Sequence, residues 1–239
     1  MSIWGRFGEF ISRVTSGAAA GVADVVEAVR TAFEGDPELR RKVAFSIAMI
    51  ALSAKMAKAD GVVTQDEVRA FHEIFAVPRE QERNVARLYD LATADTAGFE
   101  AYAERMARLC GSGERNCRML EDILDGLFHI AKADGYLHER EVAFLHRVAE
   151  IFAIDERRFD GILARHAVRP ADDPYAVLGV TRDMPFELVR RRYRQLVAEN
   201  HPDRLIARGV PEEFLAIAND RAAAINAAYE AIERGRVSA

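Results

Sequence analysis

The sequence predicts an all-α protein: a duplicated helical bundle followed by a C-terminal antiparallel helical hairpin. Three observations predict it. Apolar residues recur at spacings of three and four, and no alternating run competes as a strand. Only seven prolines punctuate 239 residues, half of them hydrophobic, so long helices around a substantial core are expected. The middle of the chain also repeats itself, with AKADGVVTQDEV at Ala57 and AKADGYLHEREV at Ala131, 74 residues apart.

In residues 1–35, Trp4, Phe7, Ile11 and Val14 share helical spacing, with Arg6 and Arg13 off that stripe. Such a segment either docks on the protein's own core or lies in a membrane interface. Glu9 between the arginines blunts attraction to anionic lipid and favours the first. Charged residues break each apolar stretch near the start, so no signal peptide is expected. The longest apolar run, Val43 to Ala54, lies between Lys42 and Lys55 and falls short of the roughly 20 residues of a spanning helix. It reads as the central buried helix of a bundle.

The repeat occupies residues 36–168. Each copy closes on a matching phrase, EIFAV at Glu73 and EIFAI at Glu150, 77 residues apart, so the second copy is three residues longer. Two helical hairpins related by pseudo-symmetry and sharing one core are expected. Asp60 and Asp134 suit turns that bond the local backbone, and Gly61 and Gly135 suit a left-handed conformation. Thr64 and Glu67 form a capping box; His138 replaces the threonine in the second copy, which weakens that cap. Asp60 and Asp134, with Glu67 and Glu141 downstream, are also the candidate metal ligands. Calcium wants six or more oxygens, however, and the intervening positions (Val62, Val63, Thr64; Tyr136, Leu137, His138) are mostly apolar or basic, so the turn reading is preferred.

Cys110 and Cys117 flank GSGERN at a spacing that matches no common zinc knuckle or redox pair, and are expected to be reduced structural cysteines. His72, His129, His138, His146 and His166 offer no metal pair one turn apart and read as surface or helix-lining residues. The linker is expected at residues 169–174, where RPADDP interrupts two helical patterns.

Residues 175–236 carry the most specific signal. VRRRYRQLVAEN ends in His201, Pro202 and Asp203, so one helix must stop near Asn200. A second helix is expected to restart at Pro211, with Glu212 and Glu213 in its first turn. On the first helix, Phe186, Val189, Tyr193, Leu196 and Val197 form the expected buried stripe. Arg190 and Arg194 lie one turn apart beside it, a cationic strip suited to an acidic partner surface. His201 and Asp203 are poorly arranged as a catalytic relay, being two residues apart around a proline with no matching nucleophile. The chain is therefore not expected to be an enzyme. Its formal net charge of -5, and the balance of acidic against basic residues after Asp173, argue against nucleic acid.

DPYAVLGV (Asp173 to Val180), the basic helix, the HPD tripeptide and INAAYEAI (Ile225 to Ile232) together resemble the J domain of the DnaJ cochaperones. HPDRLIARGVPEEFLAIANDRAAAINAAYEAI resembles the C-terminal J domain of DjlA-type proteins in particular. The duplicated KADG pattern resembles the TerB-like domain that precedes the J domain in that family. The resemblance implies a cochaperone that docks on the ATPase DnaK and stimulates its hydrolysis, with His201, Pro202, Asp203, Arg190, Arg194 and Tyr193 as partner-binding residues and no cofactor. The TerB-like domain would then supply targeting or client binding. Relatives usually carry a small residue where this chain has Arg192, and often a basic one where it has Gln195. The resemblance also brings a proposed metal association of the TerB-like domain, and with it a second reading, a helical adaptor or metal-responsive scaffold uncoupled from chaperone activity. A cytoplasmic location is expected, with the cytoplasmic face of the inner membrane as the alternative.

Overall fold

The computed structural model describes residues 8, 11, 36–60, 78–94, 98–109, 117–166 and 173–237, and among these all regular structure is helical. Helix α1 (Pro37–Asp60) is the hub. Its start is capped by Asp36, whose Oδ1 accepts the Leu39 N–H at 3.0 Å. Residues 43–57 are buried on every side because four helices surround them: α2 (Glu82–Ala94), α3 (Phe99–Leu109), α4 (Arg118–Ala131) and α5 (Glu139–Ile151). The one ammonium within that span, Lys55, sits 4.7 Å from the centroid of the Tyr102 ring. Burial of each large side chain here, such as Phe45, Ile47, Leu52 or Phe128, stabilises the bundle by about 1.5–3 kcal/mol.

Ile11 is fully buried in this same core, and Gly8 lies against Gln81. Trp4, Phe7 and Val14, the rest of the N-terminal stripe, lie outside the described residues. No helix among the described residues is long and apolar enough to cross a membrane.

The second copy of the repeat folds as α4, a turn, α5 and α6 (Glu156–His166). Asp134 Oδ1 accepts the Tyr136 N–H at 3.0 Å, and Gly135 adopts φ +93°, the left-handed turn expected of the ADG phrase. The capping box persists with histidine in place of threonine: the His138 side chain accepts from the Glu141 backbone, and Glu141 accepts the His138 N–H at 2.9 Å. The His138 Nε2 also lies 3.3 Å from Asp134 Oδ2. In the first copy the Asp60 side chain, Gly61, Thr64 and Glu67 lie outside the described residues, as do His72 and Cys110.

One expectation is corrected at the N-terminus of α4. Cys117 is disulfide-bonded rather than reduced, and Cys110 is the only other cysteine in the sequence. A second correction concerns His166, which is neither a surface nor a simple helix-lining residue. It is buried, its ring stacks on Phe128 at 5.5 Å, and it pairs with Asp125.

The C-terminal unit starts with α7 (Pro174–Leu178), where Asp173 caps Ala176 and Pro174 occupies the first turn. Helix α8 (Phe186–Glu199) and helix α10 (Leu215–Val237) run antiparallel: Phe186 stacks on Tyr229, Tyr193 stacks on Tyr229 at 4.1 Å, and Asn200 meets Arg221 near the other end. Val177, Leu178, Val180, Val189, Leu196, Ile225, Ala228 and Ile232 fill the space between them. Val197 is not part of that face. It is 41% exposed, because a step of 100° beyond Leu196 carries it past the edge of the stripe.

The largest correction lies between these helices. The chain does not wait for Pro211 to become helical again, because α9 (Pro202–Arg208) starts inside the HPD tripeptide. Pro202 takes the first helical position, where its missing N–H costs nothing and its φ is already set. Pro211 instead precedes a 3₁₀ turn (Glu212–Phe214). Leu205, Val210, Phe214, Ile217 and Ala218 point away from the hairpin and join the bundle core, with Phe214 edge-on to Phe45 at 4.7 Å. The bundle and the hairpin are thus fused through the segment that follows HPD.

Candidate functional site

His201 is the N-cap of α9. Its Nδ1 accepts the Asp203 N–H at 3.3 Å. The same Nδ1 lies 3.6 Å from Asp203 Oδ2, an ion pair only if the ring is protonated there. The two roles compete for one nitrogen, and the cap assigns the proton to Nε2. Both side chains are presented to solvent, 58% and 88% exposed. Pro202, fixed between them, is half-buried. The three residues form a short, rigid, exposed corner rather than a long loop.

Arg190 and Arg194 are exposed on α8 and, with Arg191 and Arg204, have no carboxylate partner among the described residues. Unpaired guanidiniums at a rim are available to an acidic surface. Tyr193, between them, is half-buried: its ring stacks on Tyr229 and its hydroxyl donates to Asn226 Oδ1 at 3.0 Å. It braces the hairpin and offers only an edge to a partner. Arg192 faces elsewhere, its Nε donating to the Leu178 carbonyl at 3.2 Å.

The mount beneath the corner was not anticipated from the sequence. Helix α4 is buried nearly all round yet carries Glu121, Asp122 and Asp125. Asp122 Oδ2 accepts Arg208 Nε at 3.1 Å and Nη2 at 2.9 Å, while its Oδ1 accepts Arg221 Nη1 at 2.8 Å. Asp125 accepts Arg221 Nε at 2.9 Å and also meets Arg165 and His166. Arg221 also reaches Asn200 Oδ1 at 2.7 Å, and Arg208 donates to the Glu199 carbonyl at 2.9 Å. The last turn of α8 and the end of α9 are therefore gripped from the bundle on both sides of HPD. Arg118 adds a bridge to Glu199 at 2.7 Å, and Arg158 pairs with Glu121.

The electrostatics of this mount follow from its burial. Burial alone would raise the Asp125 carboxyl, but Arg221 and His166 outweigh it and hold the group well below the usual carboxylate range. Burial likewise pushes His166 down to about 4, against the pull of Asp125, so the ring is neutral at pH 7. Glu121 is raised by burial despite Arg118 and Arg158. The sequence did carry a signal for this network: three carboxylates on a helix otherwise apolar all round need buried cations.

Of the two weak metal candidates, the Asp60 side chain lies outside the described residues, and Asp134 is engaged with the Tyr136 N–H. Among the described residues no group of three or more His, Cys, Asp or Glu is placed to hold a metal ion.

Comparison with known proteins agrees with this architecture. The family model described as Tellurite resistance protein TerB matches residues 46–164, the span from α1 into α6. Co-chaperone protein DjlA of Photobacterium profundum is 29% identical over 220 residues, covering 81% of this chain and 78% of the relative. The DjlA proteins of Shewanella oneidensis (28%; 78% of this chain, 76% of the relative) and Mannheimia succiniciproducens (26%; 82% and 81%) are similar over comparable lengths. No solved structure matches significantly. With a TerB-type bundle leading into a helical hairpin that carries HPD at its corner, the chain belongs to the DjlA-like J-domain family.

Proposed function

We propose that this protein is a non-enzymatic cochaperone that docks on a DnaK-type ATPase and stimulates its ATP hydrolysis. His201, Pro202 and Asp203 form the docking corner, and Arg190 and Arg194 steer an acidic partner surface onto it. The observation that carries this reading is the pairing of solvent-exposed His201 and Asp203 side chains with a rigid mount. His201 and Asp203 face solvent, while the residues on either side of them are anchored through Asn200, Arg208 and Arg221. A corner held this way presents its side chains at little entropic cost on binding. The relatives' printed name, co-chaperone, supports the same class of function. The bundle is assigned the targeting or client-binding role, in the cytoplasm or on the cytoplasmic face of a membrane. The test is the single-turnover ATPase rate of purified DnaK with the full chain added: stimulation by wild type and none by His201→Gln supports the reading, and equal rates with both reject it.

A further inference from the structure

A cavity of about 340 Å³ lies between the bundle and the hairpin, on the far side of the mount from the bundle core. Its walls are dominated by guanidinium groups. Five of them are matched by carboxylates: Arg118 and Arg158 by Glu121, Glu199 and Asp155; Arg165, Arg208 and Arg221 by Asp122 and Asp125. That is five cations against five anions.

Two further lining arginines, Arg157 from α6 and Arg192 from α8, lie outside this balance. Among the described residues neither has a carboxylate partner, and both donate only to neutral backbone carbonyls. Arg157 Nε reaches Gly179 O at 3.1 Å, and Arg192 Nε reaches Leu178 O at 3.2 Å. Two guanidiniums, one from each unit, thus converge on consecutive carbonyls with two positive charges uncompensated. Burial and the neighbouring cations Arg158, Arg118 and Arg157 hold Arg192 below the ordinary arginine value, against the pull of Glu199. A charge placed at this cost, facing others of its sign in a polar cavity, is what an anion site requires.

We propose that this cavity binds a small phosphate-bearing dianion, held between Arg157 and Arg192. The planar forks of two arginines match phosphate oxygens in pairs, and a doubly negative group cancels the surplus. Ile162, Val177 and Leu178 supply an apolar wall, and the volume falls at the lower end of small-ligand pockets. Because the two arginines come from different units, the bound anion ties hairpin to bundle.

The test is calorimetric titration of the full chain with orthophosphate and, separately, with AMP, in buffers matched in ionic strength by sodium chloride. One saturable site per chain is expected, with affinity reduced about tenfold or more in Arg157→Gln and in Arg192→Gln and unchanged in the exposed control Arg87→Gln. Tighter binding of AMP identifies a nucleotide-like source of the phosphate, and equal binding a free phosphate. Arg157 is exposed at the cavity mouth, so its variant keeps the fold and the test holds even if Arg192→Gln does not fold. Absence of saturable binding in the wild type through the millimolar range, or equal affinity in the wild type and Arg157→Gln, overturns the proposal.

Discussion

Asp122 and Arg208 are 86 residues apart in sequence, yet Asp122 Oδ2 accepts both Nε and Nη2 of Arg208 across the boundary between α4 and α9. The carboxylate is 4% exposed and the guanidinium 22%. One side chain of the bundle thereby fixes the end of the helix that HPD opens.

Removing that carboxylate strands the largely buried Arg208 and takes from Arg221 one of its two carboxylates, leaving it Asp125. Asp122→Ala is expected to destabilise the protein by about 3–5 kcal/mol, because breaking one side of a buried pair leaves uncompensated charge. Arg208→Met with Asp122→Leu, which removes both partners, should cost markedly less. Urea unfolding of the two variants checks this; equal losses in the single and the double variant would show that the pair does not act as a unit.

Stability should fall as pH drops from about 6.5 toward 4. His166 is depressed to about 4 in the folded state, so over that window the unfolded chain binds the proton and the folded one does not. At 1.36 kcal/mol per unit, the loss amounts to at most about 3 kcal/mol. Asp125, Arg165, Lys132 and the His129 ring surround the imidazole, and Asp125, held well below its usual range, contributes further loss only in more acid solution. Glu121 acts in the opposite sense: its raised pKa lets the folded state take up a proton first, which moderates the fall. Thermal melts of wild type and His166→Gln across pH 4 to 7 check the sign. A slope as steep in the variant as in the wild type would remove His166 as its source.

Gly209 combines two constraints. Its φ is +93°, and a Cβ built there would stand 2.5 Å from the Arg41 side chain on α1. Gly209→Ala is expected to cost more than about 1 kcal/mol, since the left-handed strain and the clash at the unit boundary add. A melting temperature within error of wild type would contradict this placement of α9 against α1.

Charge reversal on the α8 strip should act on encounter. Arg190→Glu or Arg194→Glu is expected to slow association with DnaK while leaving dissociation nearly unchanged, and added salt should weaken the wild-type interaction. Stopped-flow binding at two ionic strengths separates the rates, and a defect confined to dissociation would count against steering.

Much of this was legible in the sequence because it is local. Apolar spacing marked α1 and the inner face of α8, and the ADG phrase marked the turn at Gly135. The same local logic misplaced the start of the second C-terminal helix. Pro202 and Pro211 both suit a first helical position, and what selects Pro202 is that Leu205 then reaches the bundle core, a contact no short window contains. Asp122, Asp125, Arg208 and Arg221 escaped for the same reason: as many as 99 residues separate partners in the network. Arg192 was visible only as a departure from family pattern, and its chemistry depends on a cavity wall supplied by α6.

His201 caps α9 and also faces solvent, so its two roles need separating. Asparagine is among the best N-caps, so His201→Asn should hold α9 within about 0.5 kcal/mol of wild type while removing the imidazole. The decisive measurement is the single-turnover ATPase rate of DnaK with this variant, whose melting temperature should match that of the wild type. Stimulation by the wild type and none by His201→Asn is the expected result. Full stimulation by the variant would contradict a docking role for the exposed ring at the HPD corner.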